Sequence, residues 1–103
     1  MYLQRISYYP NLGKEREVRT LLEDELNRRR NLGARGSLAV ALTYEDGPYF
    51  TVTYLHESLS AYEEFRKRAV SEPDFRAHQP GLADMLRFPL KHEILELLAP
   101  PEI

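Results

Sequence analysis

Two runs near the middle of the chain, SLAVALTY at 37–44 and YFTVTYLH at 49–56, constrain the fold more than any other feature. Both are rich in β-branched and aromatic residues and alternate as strands do. Glu45-Asp46-Gly47-Pro48 stands between them. Asp-Gly supplies the positive φ of a tight turn, so the spacing predicts a hairpin turning at Asp46-Gly47. A two-residue turn and a three-residue bulged turn register the strands oppositely, which leaves both face assignments open. Under either register, both faces carry apolar residues. Leu38, Val40 and Leu42 oppose Ala39 and Ala41, and Phe50, Val52 and Tyr54 oppose Tyr49 and Leu55. An antiparallel sheet wet on one side alternates more cleanly, so both sides of this hairpin need cover.

The flanking segments supply one cover. Residues 2–9 read as a strand that stops at Pro10. Gly13 to Leu32 reads as a helix, with Val18, Leu21, Leu22 and Leu26 on one stripe, glutamates early, arginines late and Gly33 as the stop. Ser60 with Glu63 forms an expected capping box for a second helix running to about Val70. Ser71, Pro73 and Asp74 restart a helical segment, Pro80-Gly81 interrupts it, and LADML adds a turn. PLKHEILELL (89–98) reads as the last strand, with helix as the alternative; Leu90, Ile94 and Leu98 oppose Leu95 and Leu97. The order β-α-β-β-α-(α)-β predicts an α+β, ferredoxin-like antiparallel sheet with helices on one face, in a single domain over 1–103. No element is left for the other face. A second copy, sheet against sheet, is the economical cover, so the chain is expected to be at least a homodimer.

Composition narrows the function. The chain has no cysteine, which excludes disulfides, thiolate catalysis and cysteine-ligated metals. Its formal net charge is −2, without the basic excess of a nucleic-acid binder. The basic runs RRR (28–30) and RKR (66–68) fall late in predicted helices, where they read as solvated faces favoured by the helix dipole. GPYFTVTY loosely resembles the third-strand motif of RRM domains. Asp46 stands where a basic residue belongs, however, and Pro48 intrudes, so no nucleic acid is expected. No apolar run suits a membrane span and the start MYLQRISYYP does not resemble a signal peptide, so the expected location is the cytoplasm.

Taken together, the segments resemble the dimeric α/β barrel superfamily, in its NIPSNAP-like and antibiotic-biosynthesis-monooxygenase-like branches. The first strand followed by LGKEREV is similar to the opening of both. TYLHESLSAYEEFRKRAVSEPDF is similar to their third strand, Ser-Leu helix start and aspartate-plus-aromatic restart, with Arg66 at an arginine common in NIPSNAP-like helices. The resemblance places Gln4, Ile6 and Tyr8 inward, which sends Arg5 toward the helices. It implies a pocket between helices and sheet. If catalytic, it implies cofactor-independent oxygenation or proton transfer on a phenolic or quinol-like substrate, with a histidine or tyrosine as base and an arginine steadying an enolate. The alternative is a non-catalytic homodimeric binding or assembly module. Tyr54-Leu55-His56 replaces the Trp-x-Tyr frequent in NIPSNAP-like chains, and Gln4 and Ile6 stand where a glutamate and an arginine are common. The haem-degrading relatives use an asparagine and a tryptophan where this chain has Ile6 and Phe65. Only His78 nearly matches their histidine, so that route is not expected and no cofactor is assigned.

Three histidines and seven tyrosines carry the remaining chemistry. No His-x-His or His-Glu-x-x-His occurs, so no metal site is expected. His56 reads as a strand-end residue on the face of Tyr54, Val52 and Phe50. His92 lies mid-strand on an apolar face, where a polar residue needs a partner; it reads first as a satisfied sheet histidine, and of the three it is the first choice for a working one. His78 reads as a surface helix residue. Glu57, Glu63 and Glu64 are ordinary acids of a helix start and support no paired-carboxylate mechanism. The pocket candidates are Tyr8, Tyr54, His56 and His92, lining a site for a small apolar or aromatic ligand.

Overall fold

A computed structural model describes residues 1–71 and 81–99. The elements run β1 (Tyr2–Tyr8), α1 (Glu15–Asn31), β2 (Arg35–Val40), β3 (Phe50–His56), α2 (Leu59–Ser71) and β4 (Lys91–Glu96). The four strands form one antiparallel sheet in the order β2-β3-β1-β4, the expected ferredoxin-like arrangement. The expected helical restart at Ser71, Pro73 and Asp74, and His78 with it, lies outside the described residues beyond Ser71. Residues 81–84 are helical, as LADML suggested. The segment that follows docks on the end of β1: Asn11 N–H donates to Met85 O at 2.7 Å and Arg87 N–H to Tyr9 O at 2.7 Å.

Helix α1 forms where its stripe predicts and ends in a full Schellman motif. Gly33 takes φ +94°, its N–H donates to Arg30 O, and Ala34 N–H reaches back to Arg29 O. Val18, Leu22 and Leu26 sit one above another and pack on Tyr8, Phe50, Val52 and Tyr54. The register puts Gln4, Ile6, Tyr8, Leu38, His92 and Ile94 on this same helix-covered face.

Three local expectations need correction. The hairpin does not turn tightly at Asp46-Gly47. Strand pairing stops at Val40–Phe50, one further bond joins Ala41 N–H to Tyr49 O, and residues 42–48 form a loop. Arg87 Nη2 donates to Pro48 O at 3.2 Å, tying that loop to the segment before β4. The cap of α2 is Ser58, whose Oγ accepts from Ala61 N–H at 3.0 Å; Glu63 instead pairs with Arg66. Arg5 does not face the helices: it lies on the opposite face in a bidentate pair with Glu93.

That opposite face is banded. Leu55, Leu3 and Leu95 form a row across three strands, next to the polar row Ser37, Thr53, Arg5 and Glu93. At the far end Tyr9 stacks on Tyr49 at 4.8 Å and meets Phe88 edge-on at 5.7 Å. Among the described residues, no helix is long and apolar enough to cross a membrane.

Candidate functional site

The helices do not fill the space they enclose. A cavity of about 210 Å³ lies between the sheet and the helical layer. Its floor includes Gln4, Ile6, Tyr8, Val52 and Tyr54, and His92 stands on β4 at its edge. Leu22 and Glu25 of α1 and Phe65 and Arg66 of α2 contribute the walls. A second cleft of about 240 Å³ opens beyond Tyr54, where His56, Glu57, Arg35 and Arg68 meet the end of α1. Tyr54, Phe65 and Arg29 line both spaces.

Three of the four pocket candidates, Tyr8, Tyr54 and His92, thus line one cavity. His56 lines the neighbouring cleft, and a residue absent from the candidate set joins it to His92. Gln4 Oε1 accepts from His56 Nε2 at 3.0 Å, and Gln4 Nε2 donates to His92 Nε2 at 3.1 Å. The order of strands makes this possible. β1 lies between β3 and β4, so Gln4 is directly opposite Tyr54 on one side and Ile94 on the other, within reach of both histidines.

The strand-end histidine is the more buried of the two. His92 has the partner expected of a satisfied sheet histidine, Gln4, but it is exposed at the cavity edge, with the Tyr62 ring 6.3 Å away. His56 is only 7% exposed, between the Tyr62 ring at 5.5 Å and the Phe65 ring at 5.1 Å. This burial disfavours the imidazolium and lowers the His56 pKa below its ordinary 6.5. The unfolded chain therefore binds the proton more readily than the folded one. Stability from this group is fully present above pH 6.5 and is lost as pH falls from there through the folded value. Chemical denaturation from pH 8 down to pH 5 should show this acid loss in the native protein and a flatter profile in His56→Phe. Parallel profiles would disprove it.

Both cavity phenols stay neutral. Burial first, then Tyr54 and the Glu25 carboxylate, holds the Tyr8 phenol far above its ordinary 10. Burial and Glu25 push Tyr54 up to about 12, with Arg29 and Arg30 opposing. These hydroxyls are therefore donors near neutral pH and not bases, which leaves proton acceptance to histidine.

Of the basic runs, Arg66, Lys67 and Arg68 are exposed as the solvated-face reading has them, whereas the run at 28–30 departs from it. Arg29 is 3% exposed, and its Nη2 lies 2.9 Å from Glu25 Oε1. Glu25 also takes Arg28, at 2.6 Å, while Arg30 donates twice to Gly36 O. Arg29 falls on the stripe of Val18, Leu22 and Leu26, so helical periodicity was the signal that could have shown its burial. Among the described residues no cluster of histidine, aspartate and glutamate could hold a metal ion.

No family model matches the chain. No curated protein matches it either. Solved structures do. An uncharacterised NIPSNAP domain protein from Burkholderia xenovorans superposes with a TM-score of 0.79 at 17% identity, over 98% of this chain and 100% of that one. A putative antibiotic biosynthesis monooxygenase from Deinococcus radiodurans gives 0.75 at 16% identity, over 100% and 98%. A NIPSNAP family protein from Agrobacterium tumefaciens gives 0.68 at 21%, over 92% and 90%. The chain has the fold of the NIPSNAP and antibiotic biosynthesis monooxygenase-like proteins. The resemblance seen in its segments is thus a resemblance of the whole architecture, and at these identities it is one of fold alone.

Proposed function

We propose that this protein binds a planar aromatic molecule bearing a hydroxyl or carbonyl group between sheet and helices, and moves a proton on it. His92 is the proton acceptor, Tyr8 and Tyr54 are hydrogen-bond donors, and Arg66 at the cavity wall steadies the negative charge that develops. The observation that carries this reading is a histidine held by Gln4 at the edge of a cavity whose two phenols are too basic to ionise. At about 210 Å³ the space is smaller than the ~300 Å³ and upward of drug-sized sites, which favours one or two fused rings.

A panel of hydroquinones and hydroxynaphthalenes, titrated calorimetrically and followed for turnover, tests the reading. The monooxygenase among the structural neighbours makes oxygen uptake the second readout. His92→Ala alters an exposed side chain, so it should preserve the fold while slowing turnover by about 10²–10⁴-fold. Binding without any turnover would favour the non-catalytic module. Absence of binding across the panel would overturn the proposal.

For the open face the partner is a second copy of the chain. The adjoining Leu3, Leu55 and Leu95 support this, since each is only half-buried within one subunit. Sedimentation equilibrium should return twice the chain mass of 12.1 kDa or more, and a monomer would reject the assembly.

A further inference from the structure

We propose that Gln4 is a positioning residue that holds His56 and His92 in opposite tautomers and, by turning its amide over, switches His92 between hydrogen-bond donor and proton acceptor. The argument is one of donor and acceptor counting. An amide oxygen only accepts and an amide nitrogen only donates. Gln4 Oε1 faces His56 Nε2 at 3.0 Å, so His56 carries its proton on Nε2. Gln4 Nε2 faces His92 Nε2 at 3.1 Å, so that nitrogen presents its lone pair and the His92 proton sits on Nδ1. In this state the free nitrogen of His92 can only donate.

Rotating the amide by half a turn reverses both assignments. His92 then donates from Nε2 to the oxygen, and its Nδ1 lone pair is free to take a proton. His56 accepts at Nε2 and keeps its single proton on Nδ1. No proton crosses the amide: each ring relocates its own by exchange with water, His92 at the cavity edge and His56 in its cleft. Proton uptake then adds one proton, at His92 Nδ1. An imidazolium at His92 is compatible only with the reversed amide, because two donors would otherwise meet. Protonation on the cavity side is therefore registered as a tautomer change on the cleft side.

Other polar groups surround both rings. Glu25, Arg29, Arg66 and the two phenols line the cavity, and Tyr62 of α2 lies between the rings. Glu57, Arg29, Arg35 and Arg68 line the cleft. Gln4 is the group hydrogen-bonded to both histidines at once. His56 burial adds weight, since a buried imidazole depends on the hydrogen bonds it keeps.

The inference rests on the cavity as the working site, but its test needs no ligand, so the two can fail separately. Long-range ¹H–¹⁵N correlation spectra of the full chain assign each imidazole tautomer between pH 5 and 8. At pH 8 His92 should be the Nδ1–H form and His56 the Nε2–H form. As His92 takes up its proton on acidification, His56 should shift toward Nδ1–H. Gln4→Met, close to isosteric, should abolish the Nδ1–H preference of His92 and uncouple the two rings. His92→Ala, at an exposed position, should leave the His56 tautomer insensitive to pH until His56 itself protonates. The same tautomer on both rings at pH 8 would overturn the proposal. So would a His56 tautomer that ignores His92 titration, or coupling that survives either substitution.

Discussion

Leu22→Ala is expected to lower stability by about 2–5 kcal/mol, the range for truncating a buried leucine whose surroundings cannot collapse. Leu22 is 2% exposed and stands between Val18 and Leu26 in the core stripe of α1. Its surroundings are poorly placed to close the gap, because Leu22 also forms part of the cavity wall. The lost side chain should add its volume to space already present. Two readouts follow. The urea midpoint should fall with an unchanged m-value, and the ligand range should extend toward larger ring systems. A loss below about 1 kcal/mol would show that α1 settles onto the sheet when the side chain is removed, and that the cavity is not held open by a rigid frame.

Gly36→Val should be the next most damaging change, although Gly36 is neither in a turn nor at a positive φ. It sits in β2 directly opposite Tyr54, whose ring lies over it. A Cβ at this position would stand 2.7 Å from Tyr54 Cδ1 and Cε1 and 2.8 Å from Leu26 Cδ1. Real Cβ contacts are not that short, so the ring or the helix must move. Valine is the better strand former, but β-propensity spans only ~1 kcal/mol, whereas overpacking costs about 1–3 kcal/mol. The net effect should be a loss, with Gly36→Ala intermediate. Because Tyr54 lines both the cavity and the cleft, the ring should be displaced in both. Thermal melts with a near-ultraviolet signal from the tyrosines would measure it. A variant as stable as the native chain, with unchanged ligand affinity, would show that Tyr54 yields freely.

What could be read without the fold, and what could not, divides by range along the chain. The α1 stripe and its stop at Gly33 depend on neighbours three to five residues apart, and they form as expected. That Phe50, Val52, Tyr54 and His56 share one face follows from alternation alone. The turn at Asp46-Gly47 failed because local turn preference was outweighed by tertiary contacts. Tyr49 is stacked on Tyr9, and Arg87 binds Pro48, so the strand ends before the Asp-Gly pair can close a tight hairpin. Ser58 and Ser60 are both plausible caps in isolation. Ser58 caps because β3 pairing already ends at His56, which starts the helix at Leu59. Arg29 was misread because charge was weighed before position. Its place on the apolar stripe buries it, and Glu25 one turn earlier compensates it.

The candidate site shows the same division more sharply. Tyr8, Tyr54 and His92 were legible as pocket candidates on strands, but alternation groups residues along one strand without saying which face of the sheet the helices cover. Their function as a unit was not legible, because Gln4 is separated from His56 by 52 residues and from His92 by 88. The amino-acid sequence by itself determined the order of the elements, the apolar stripe of α1 and the supply of imidazoles, phenols and one amide on the first strand. Only the tertiary structure, by setting β1 between β3 and β4, decided that the amide would bridge two histidines, that His56 would be the buried one, and that His92 would stand at the cavity's edge. The physical reason is that backbone periodicity acts over a few residues, whereas the order of strands in a sheet is settled by burial summed over the whole chain.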